Sequence, residues 1–199
     1  PFGSEAGDAA AQASFDELRI SGIARVGNSD RVHLLVSEEN LGRIKVLDLM
    51  GNRQALWSDS RVARPRGLAM LPGGLLAVGD TADGAIKLLA YDGGSGLSYH
   101  GVFAAGPGRP LNLAGHGDRL LAADADRKTV TVYGLDARPL AVYSMPNDGY
   151  SVVFGGPTAA ALSPTGDLLV TDRGKQRVVF VRRGMLSQRL VLPIVLHAP

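Results

Sequence analysis

One pattern recurs four times along this 199-residue chain. A short apolar run closes on an acidic residue, a polar turn follows, and a second apolar run leaves the turn. The closing acids are Glu38, Asp80, Asp124 and Asp172, at intervals of 42, 44 and 48 residues. A recurrence in the forties fits two architectures, the four-stranded propeller blade and the helical HEAT or armadillo unit. Local chemistry selects between them. The runs (LLAVGD, LLVTD, RIKVLDL, RVVFV) are short, rich in β-branched residues and bounded by Gly, Pro, Asn and Asp, as strands are. Nothing after residue 18 sustains an apolar helical stripe for ten residues.

The expected fold is therefore all-β. Four-stranded antiparallel blades are predicted over about 18–57, 62–104, 109–145 and 153–192. First strands fall near 20–25, 66–70, 111–114 and 158–162. Second strands fall near 32–37, 75–79, 119–123 and 168–171, and third strands near 43–49, 85–91, 129–134 and 177–182. Weaker outer strands lie near 54–57, 98–104, 139–144 and 188–192. Such sheets packed around an axis form a β-propeller. Residues 1–17 read as an interblade linker. Four blades either close on themselves or form a sector of a larger ring, and the sector is expected, because open blade faces leave apolar surface uncovered at both ends.

Composition narrows the chemistry. Hydrophobic residues make up 45% of the chain and charged residues 20%, as in an ordinary globular domain. There is no cysteine, which excludes disulfides, thiolate metal sites and cysteine nucleophiles. No apolar run approaches the length of a transmembrane helix. The opening PFGSEAGDAAAQ has neither the basic start nor the apolar stretch of a secretory signal. A net charge of +2 does not by itself imply nucleic acid.

The repeats resemble NHL repeats. Ser21-Gly22-Ile23-Ala24 and Pro65-Arg66-Gly67-Leu68-Ala69 stand for the first strand of that pattern, Val36-Ser37-Glu38 and Val170-Thr171-Asp172 for the second. Asn40-Leu41-Gly42-Arg43-Ile44 and Arg177-Val178 stand for the opening of the third. The third repeat departs most, with Asn112 in the Gly slot and Thr129 in the Arg slot; the second has Ala85 in the Arg slot. The resemblance implies an NHL-like propeller, usually of about six blades. Fold does not fix activity, because propellers host unrelated functions.

The repeated acids read as structural. Each ends a strand where its carboxylate can accept N–H groups of the following loop, and Arg43 and Arg177, five residues on, can reach back to it. Catalytic groups are expected to be absent. No serine elbow or phosphate loop occurs. NHL-type amidating lyases hold zinc with channel histidines, but the aligned slots here are Ser21, Arg66, Leu111 and Thr158. Lactonase-like propellers bind a divalent cation with acidic and Asn residues on first strands, where only Asn112 is of that type. No metal or other cofactor is assigned.

Charge gives the sharper signal. In a propeller the loops leading into first strands and the turns joining second to third strands share one face. Those segments carry Arg61, Arg64, Arg66 and Arg109, and Arg127, Lys128, Arg173 and Lys175, diluted by Glu39, Asp83 and Asp126. This predicts a non-enzymatic binding or scaffold module whose basic face takes a protein or other anionic ligand. The ligand-binding residues assigned are Arg64, Arg66, Arg109, Asn112, Arg127, Lys128, Arg173 and Lys175. RNA is a minority partner, because no aromatic platform lies in these loops. Self-association through open blade edges is a further expectation. The alternative is a metal-dependent lactonase- or lyase-type propeller enzyme with ligands partly outside this chain.

Overall fold

The computed structural model describes residues 20–27, 32–106, 108–143, 154–181 and 189–193. The 1–17 linker lies outside them. Blade 1 comprises β1 (Ile20–Gly27), β2 (Val32–Glu38), β3 (Arg43–Leu47) and β4 (Arg53–Ser58). Blade 2 comprises β5 (Pro65–Leu71), β6 (Leu75–Asp80), β7 (Ala85–Tyr91) and β8 (Leu97–Ala104). Blade 3 comprises β9 (Pro110–His116), β10 (Arg119–Asp124), β11 (Thr129–Gly134) and β12 (Pro139–Tyr143). Blade 4 comprises β13 (Pro157–Leu162), β14 (Leu168–Asp172), β15 (Arg177–Val181) and β16 (Arg189–Pro193).

Each sheet is an antiparallel meander, with strands hydrogen-bonded in chain order. The strands predicted from the repeat are all present, and no α-helix occurs among the described residues. Only short 3-10 turns interrupt the strands, at Glu39–Leu41, Pro72–Gly74 and Arg173–Lys175.

The first strands lie side by side around the axis, β1 on β5, β5 on β9 and β9 on β13. Glycine makes that approach possible. A Cβ on Gly22 would stand 2.1 Å from the Arg66 carbonyl oxygen, and one on Gly67 would stand 2.8 Å from the Leu113 nitrogen. These are the glycines of the repeated first-strand pattern, so the motif records a steric demand.

Three apolar clusters cement the blades. Ala24, Leu35 and Val46 of blade 1 pack with Leu68, Leu76 and Val78 of blade 2. Ala69, Ala77 and Ile86 of blade 2 pack with Leu113, Leu120 and Ala122 of blade 3. Leu121, Ala123 and Val130 of blade 3 pack with Ala160, Leu168 and Val170 of blade 4. Hence β6 and β10, covered on both faces, are buried almost throughout. By contrast β14 alternates buried and exposed residues, as a strand covered on one face does. Among the described residues no cluster joins blade 4 to blade 1.

Candidate functional site

The repeated carboxylates organise the loop face. Asp80 accepts the backbone N–H groups of Ala63 and Arg64, each at 2.9 Å, and of Ala82 at 3.0 Å. Asp124 accepts those of Arg109 and Arg127, both at 2.9 Å. Asp172 accepts those of Gly155 and Gly156, the shortest at 2.8 Å. Most donors thus come from the loop leading into the blade, and one each for Asp80 and Asp124 comes from the following turn. The following turn supplies Ala82 and Arg127 as the sequence reading expects, and the entry loop, which it did not foresee, supplies the rest. The physical reason is topological: the first strand runs antiparallel to the second, so its entry loop ends beside the acid. Asp80 and Asp124 thereby tie both loops of their blades to one face, and Asp172 holds its entry loop.

Cations complete three of the four clamps. Arg43 donates to Glu38, and the Lys45 ammonium stands 2.6 Å from the same group. Arg177 donates to Asp172 at 3.2 Å. Both arginines reach back as the repeat predicts. In blade 2, Lys87 stands 2.7 Å from both Asp80 and Asp83. Burial by itself pushes the Asp80 carboxyl up, but Lys87 and the N–H groups of Ala82, Arg64 and Ala63 outweigh it and hold the group below its usual value. Sequence reasoning missed Lys45 and Lys87. The signal was available: Ala85 vacates the Arg slot, and Lys87 is the next residue on the same strand face.

The basic side chains of this face fall into two groups. Arg64 and Arg66 converge on Glu39, at 3.3 Å and 3.5 Å, and Thr81 donates to the same carboxylate at 2.6 Å. Glu39 is buried, so these two arginines serve a junction between blades 1 and 2. Arg61 is paired with Asp59, which is held down to a pKa of about 2, and its guanidinium lies 4.1 Å from the centre of the Tyr99 ring. Hydrogen bonding from the Arg61 side chain is the main cause of that low value.

Arg109, Arg127, Lys128, Arg173 and Lys175 form the second group, exposed on adjacent blades 3 and 4. Arg109 meets Asp126 at 3.4 Å, with both side chains about half exposed. Among the described residues, no carboxylate pairs with the side chains of Arg127, Lys128, Arg173 or Lys175. The Arg127 stem crosses Gly108 and the Lys175 stem crosses Gly155, where a Cβ would meet them at 2.9 Å and 2.7 Å. Asn112 is half-buried on β9 opposite Ala123.

One backbone detail marks the second group. The fourth residue after each repeated acid adopts a left-handed conformation: Gly42 (φ 60°), Gly84 (φ 74°), Lys128 (φ 57°) and Gln176 (φ 48°). Blades 1 and 2 use glycine there, while blades 3 and 4 keep a side chain despite a cost of about 1–2 kcal/mol. Lys128 thus holds a costly conformation on the exposed basic turn.

Among the described residues no group of three or more His, Asp or Glu side chains is placed to hold a metal ion. His33 lies on β2, where its Nδ1 is 2.6 Å from the Tyr91 hydroxyl. With Asp48, Gln54, Gly94 and Ser95 it lines a cleft of about 300 Å³. No helix of the described residues is long and apolar enough to cross a membrane.

The fold defines a β-propeller protein. No protein-family model and no curated protein sequence matches the chain. Among solved structures it is similar to virginiamycin B lyase from Staphylococcus aureus, with a TM-score of 0.67 and 14% identity over 91% of this chain and 57% of that one. It is similar to a chain of the nidogen/laminin complex, with a TM-score of 0.68 and 18% identity over 88% of this chain and 65% of that one. It is also similar to U3-55K, with a TM-score of 0.65 and 15% identity over 89% of this chain and 52% of that one. The chain thus spans between half and two thirds of the length of these propellers. Likeness at such identities concerns the fold.

Proposed function

We propose that this chain is an NHL-like propeller that acts as a binding or scaffold module, taking an acidic protein segment on its basic loop face. The observation that carries the reading is the set Arg127, Lys128, Arg173 and Lys175: four exposed cations on adjacent blades, without acidic partners among the described residues. Lys128 keeps its side chain in a conformation that glycine would adopt at no steric cost. Arg109 borders the set, and Arg64 and Arg66, tethered by Glu39, form its far edge toward blade 2. Two arginines suit planar, bidentate contact with carboxylates, and two lysines add point charge. Protein partnership is in keeping with the likeness to a chain of the nidogen/laminin complex.

Binding of poly-L-glutamate, measured by fluorescence anisotropy at low and high salt, tests the reading. Affinity is expected to fall as salt rises, because exposed charges are screened within about 8–10 Å. Replacing Arg127, Lys128, Arg173 and Lys175 together by Gln is expected to abolish binding with the melting temperature retained. Salt-insensitive binding, or a quadruple variant that binds as wild type does, removes the loop face as the site.

A further inference from the structure

A repeat makes its own departures visible. His33 lies near the start of β2, at the end of blade 1 away from Glu38, and the same repeat position holds Leu75 in blade 2 and Arg119 in blade 3. Tyr91 ends β7, where the matching residues of blades 1 and 3 are Leu49 and Leu135. The two meet across the junction of blades 1 and 2, and the next junction has Leu75 and Leu135 in their places. A feature common to every blade serves the blade, whereas this pair is particular to one junction. Its rings pack edge to face with centres 6.3 Å apart, and His33 Nδ1 is 2.6 Å from the Tyr91 hydroxyl.

Proton counting fixes the state of the imidazole. The Tyr91 hydroxyl donates to the Gly94 carbonyl oxygen, which can only accept, so its one proton is committed there. Tyr91 then has only lone pairs to offer His33, and Nδ1 must carry the N–H that meets them. The neutral ring keeps its lone pair on Nε2. His33 lines the cleft of about 300 Å³ with Asp48, Gln54, Gly94 and Ser95, at the lower end of the volumes that ligand sites occupy. Gln54 Nε2 donates to Asp48 at 3.0 Å, which leaves the Gln54 carbonyl oxygen as a second acceptor. Asp48 also accepts the N–H groups of Met50 and Asn52 and the Asn52 side chain, so its acceptor sites are filled while its charge remains. Those bonds, the Asn52 side chain foremost, hold its carboxyl below 3.8. Strand register places Arg25 and Arg53, in one row with Leu34 and Leu47, on the other face of the blade 1 sheet from His33. Among the described residues no Lys or Arg lines the cleft.

We infer that the cleft between blades 1 and 2 binds a small organic ammonium ion, which donates an N–H to His33 Nε2 and is balanced by the charge of Asp48. The cleft offers acceptors in the His33 lone pair and the Gln54 carbonyl, so its ligand must be a donor. Its one charged lining residue is an acid, so a positive donor is favoured over a neutral one. A metal ion fits less well, because among the described residues no three His, Asp or Glu side chains converge. The Tyr91 hydroxyl is the positioning group, since it sets which nitrogen of His33 keeps the lone pair. The site lies at the opposite end of the second strand from the basic loop face, and the inference is independent of the acidic-segment reading.

Long-range proton–nitrogen NMR of the histidine rings, at about pH 8 where free imidazoles are neutral and amines charged, tests it. His33 is expected as the Nδ1–H tautomer. Titration with cadaverine, a five-carbon diamine, is expected to shift its Nε2 resonance to saturation. The five-carbon diol, which donates without charge, and glutarate, of opposite charge, are expected to leave that resonance in place. His33→Phe keeps an aromatic ring and removes Nε2, and it is expected to weaken cadaverine binding by about tenfold or more in calorimetry. Circular dichroism checks that the variant is folded, and the wild-type spectra decide the question without it. Replacing Arg127, Lys128, Arg173 and Lys175 together by Gln is expected to leave cadaverine binding unchanged, which keeps the outcome separate from that of the loop face. An Nε2–H tautomer in the wild type overturns the inference. So does a His33 resonance that cadaverine does not move, or that the diol moves equally.

Discussion

The Lys87 ammonium lies 2.7 Å from the Asp80 carboxylate, and both side chains are buried at the start of the blade 2 hairpin. Blades 1 and 4 fill the corresponding cationic role with Arg43 and Arg177, five residues after the acid. Blade 2 has Ala85 at that position and recovers the charge two residues later. Blade 3 has Thr129 and Thr131 at the two positions, and Asp124 is held by the backbone N–H groups of Arg109 and Arg127. One repeat position thus meets the same electrostatic demand in three ways.

Lys87→Met is therefore expected to lower stability by about 3 kcal/mol, because it leaves the buried Asp80 charge without its cation. Chemical denaturation of wild type and variant measures the change. An equal stability for the two proteins would show that backbone N–H groups alone suffice for Asp80, as they do for Asp124.

The same pair predicts how stability varies with pH. Asp80 is held below its usual pKa of 3.8 in the fold, so its contribution is complete above that value. The contribution is lost as pH falls below 3.8 and through the lower folded value, because the unfolded chain takes up the proton more readily. For Lys87, burial pulls the pKa down, but Asp80 and Asp83 outweigh it and hold it above 10.5, so its contribution is lost only as pH rises beyond that. Asp80→Asn is expected to flatten the acid limb of a melting-temperature profile. An unchanged acid slope refutes the assignment.

At Lys128 stability and binding are expected to part. Lys128→Gly relieves a left-handed backbone and should stabilise the fold by about 1 kcal/mol. The same change removes one exposed cation and should weaken poly-L-glutamate binding. Calorimetry and anisotropy on one preparation check both; a variant that is more stable and binds unchanged separates Lys128 from the binding face.

Close packing of the first strands makes Gly67 intolerant of a side chain. A Cβ there meets backbone atoms of Asn112 and Leu113 at 2.8–3.1 Å, which cannot swing aside as a flexible side chain could. Gly67→Ala is expected to cost about 1–3 kcal/mol by overpacking. Gly93→Ala has open space around the new Cβ but carries the strain of a positive φ, which Gly67 does not have, so comparing the two in denaturant separates steric from conformational cost.

The sequence alone determined the blades. Strand alternation, turn residues and the spacing of Glu38, Asp80, Asp124 and Asp172 are local signals, and they placed the strands and paired Arg43 and Arg177 with their acids across a single hairpin. Tertiary structure decided what happens between blades. Arg64 and Arg66 read in sequence as free rim cations, yet they converge on Glu39, whose hydrogen bond to Thr81 spans 42 residues. Leu169 matches Leu35 and Leu121 in its repeat position, yet it alone of the three is exposed. The reason is physical: alternation sets which face of a strand a side chain occupies, whereas its partner or its exposure depends on the neighbouring blade, which lies a full repeat away along the chain.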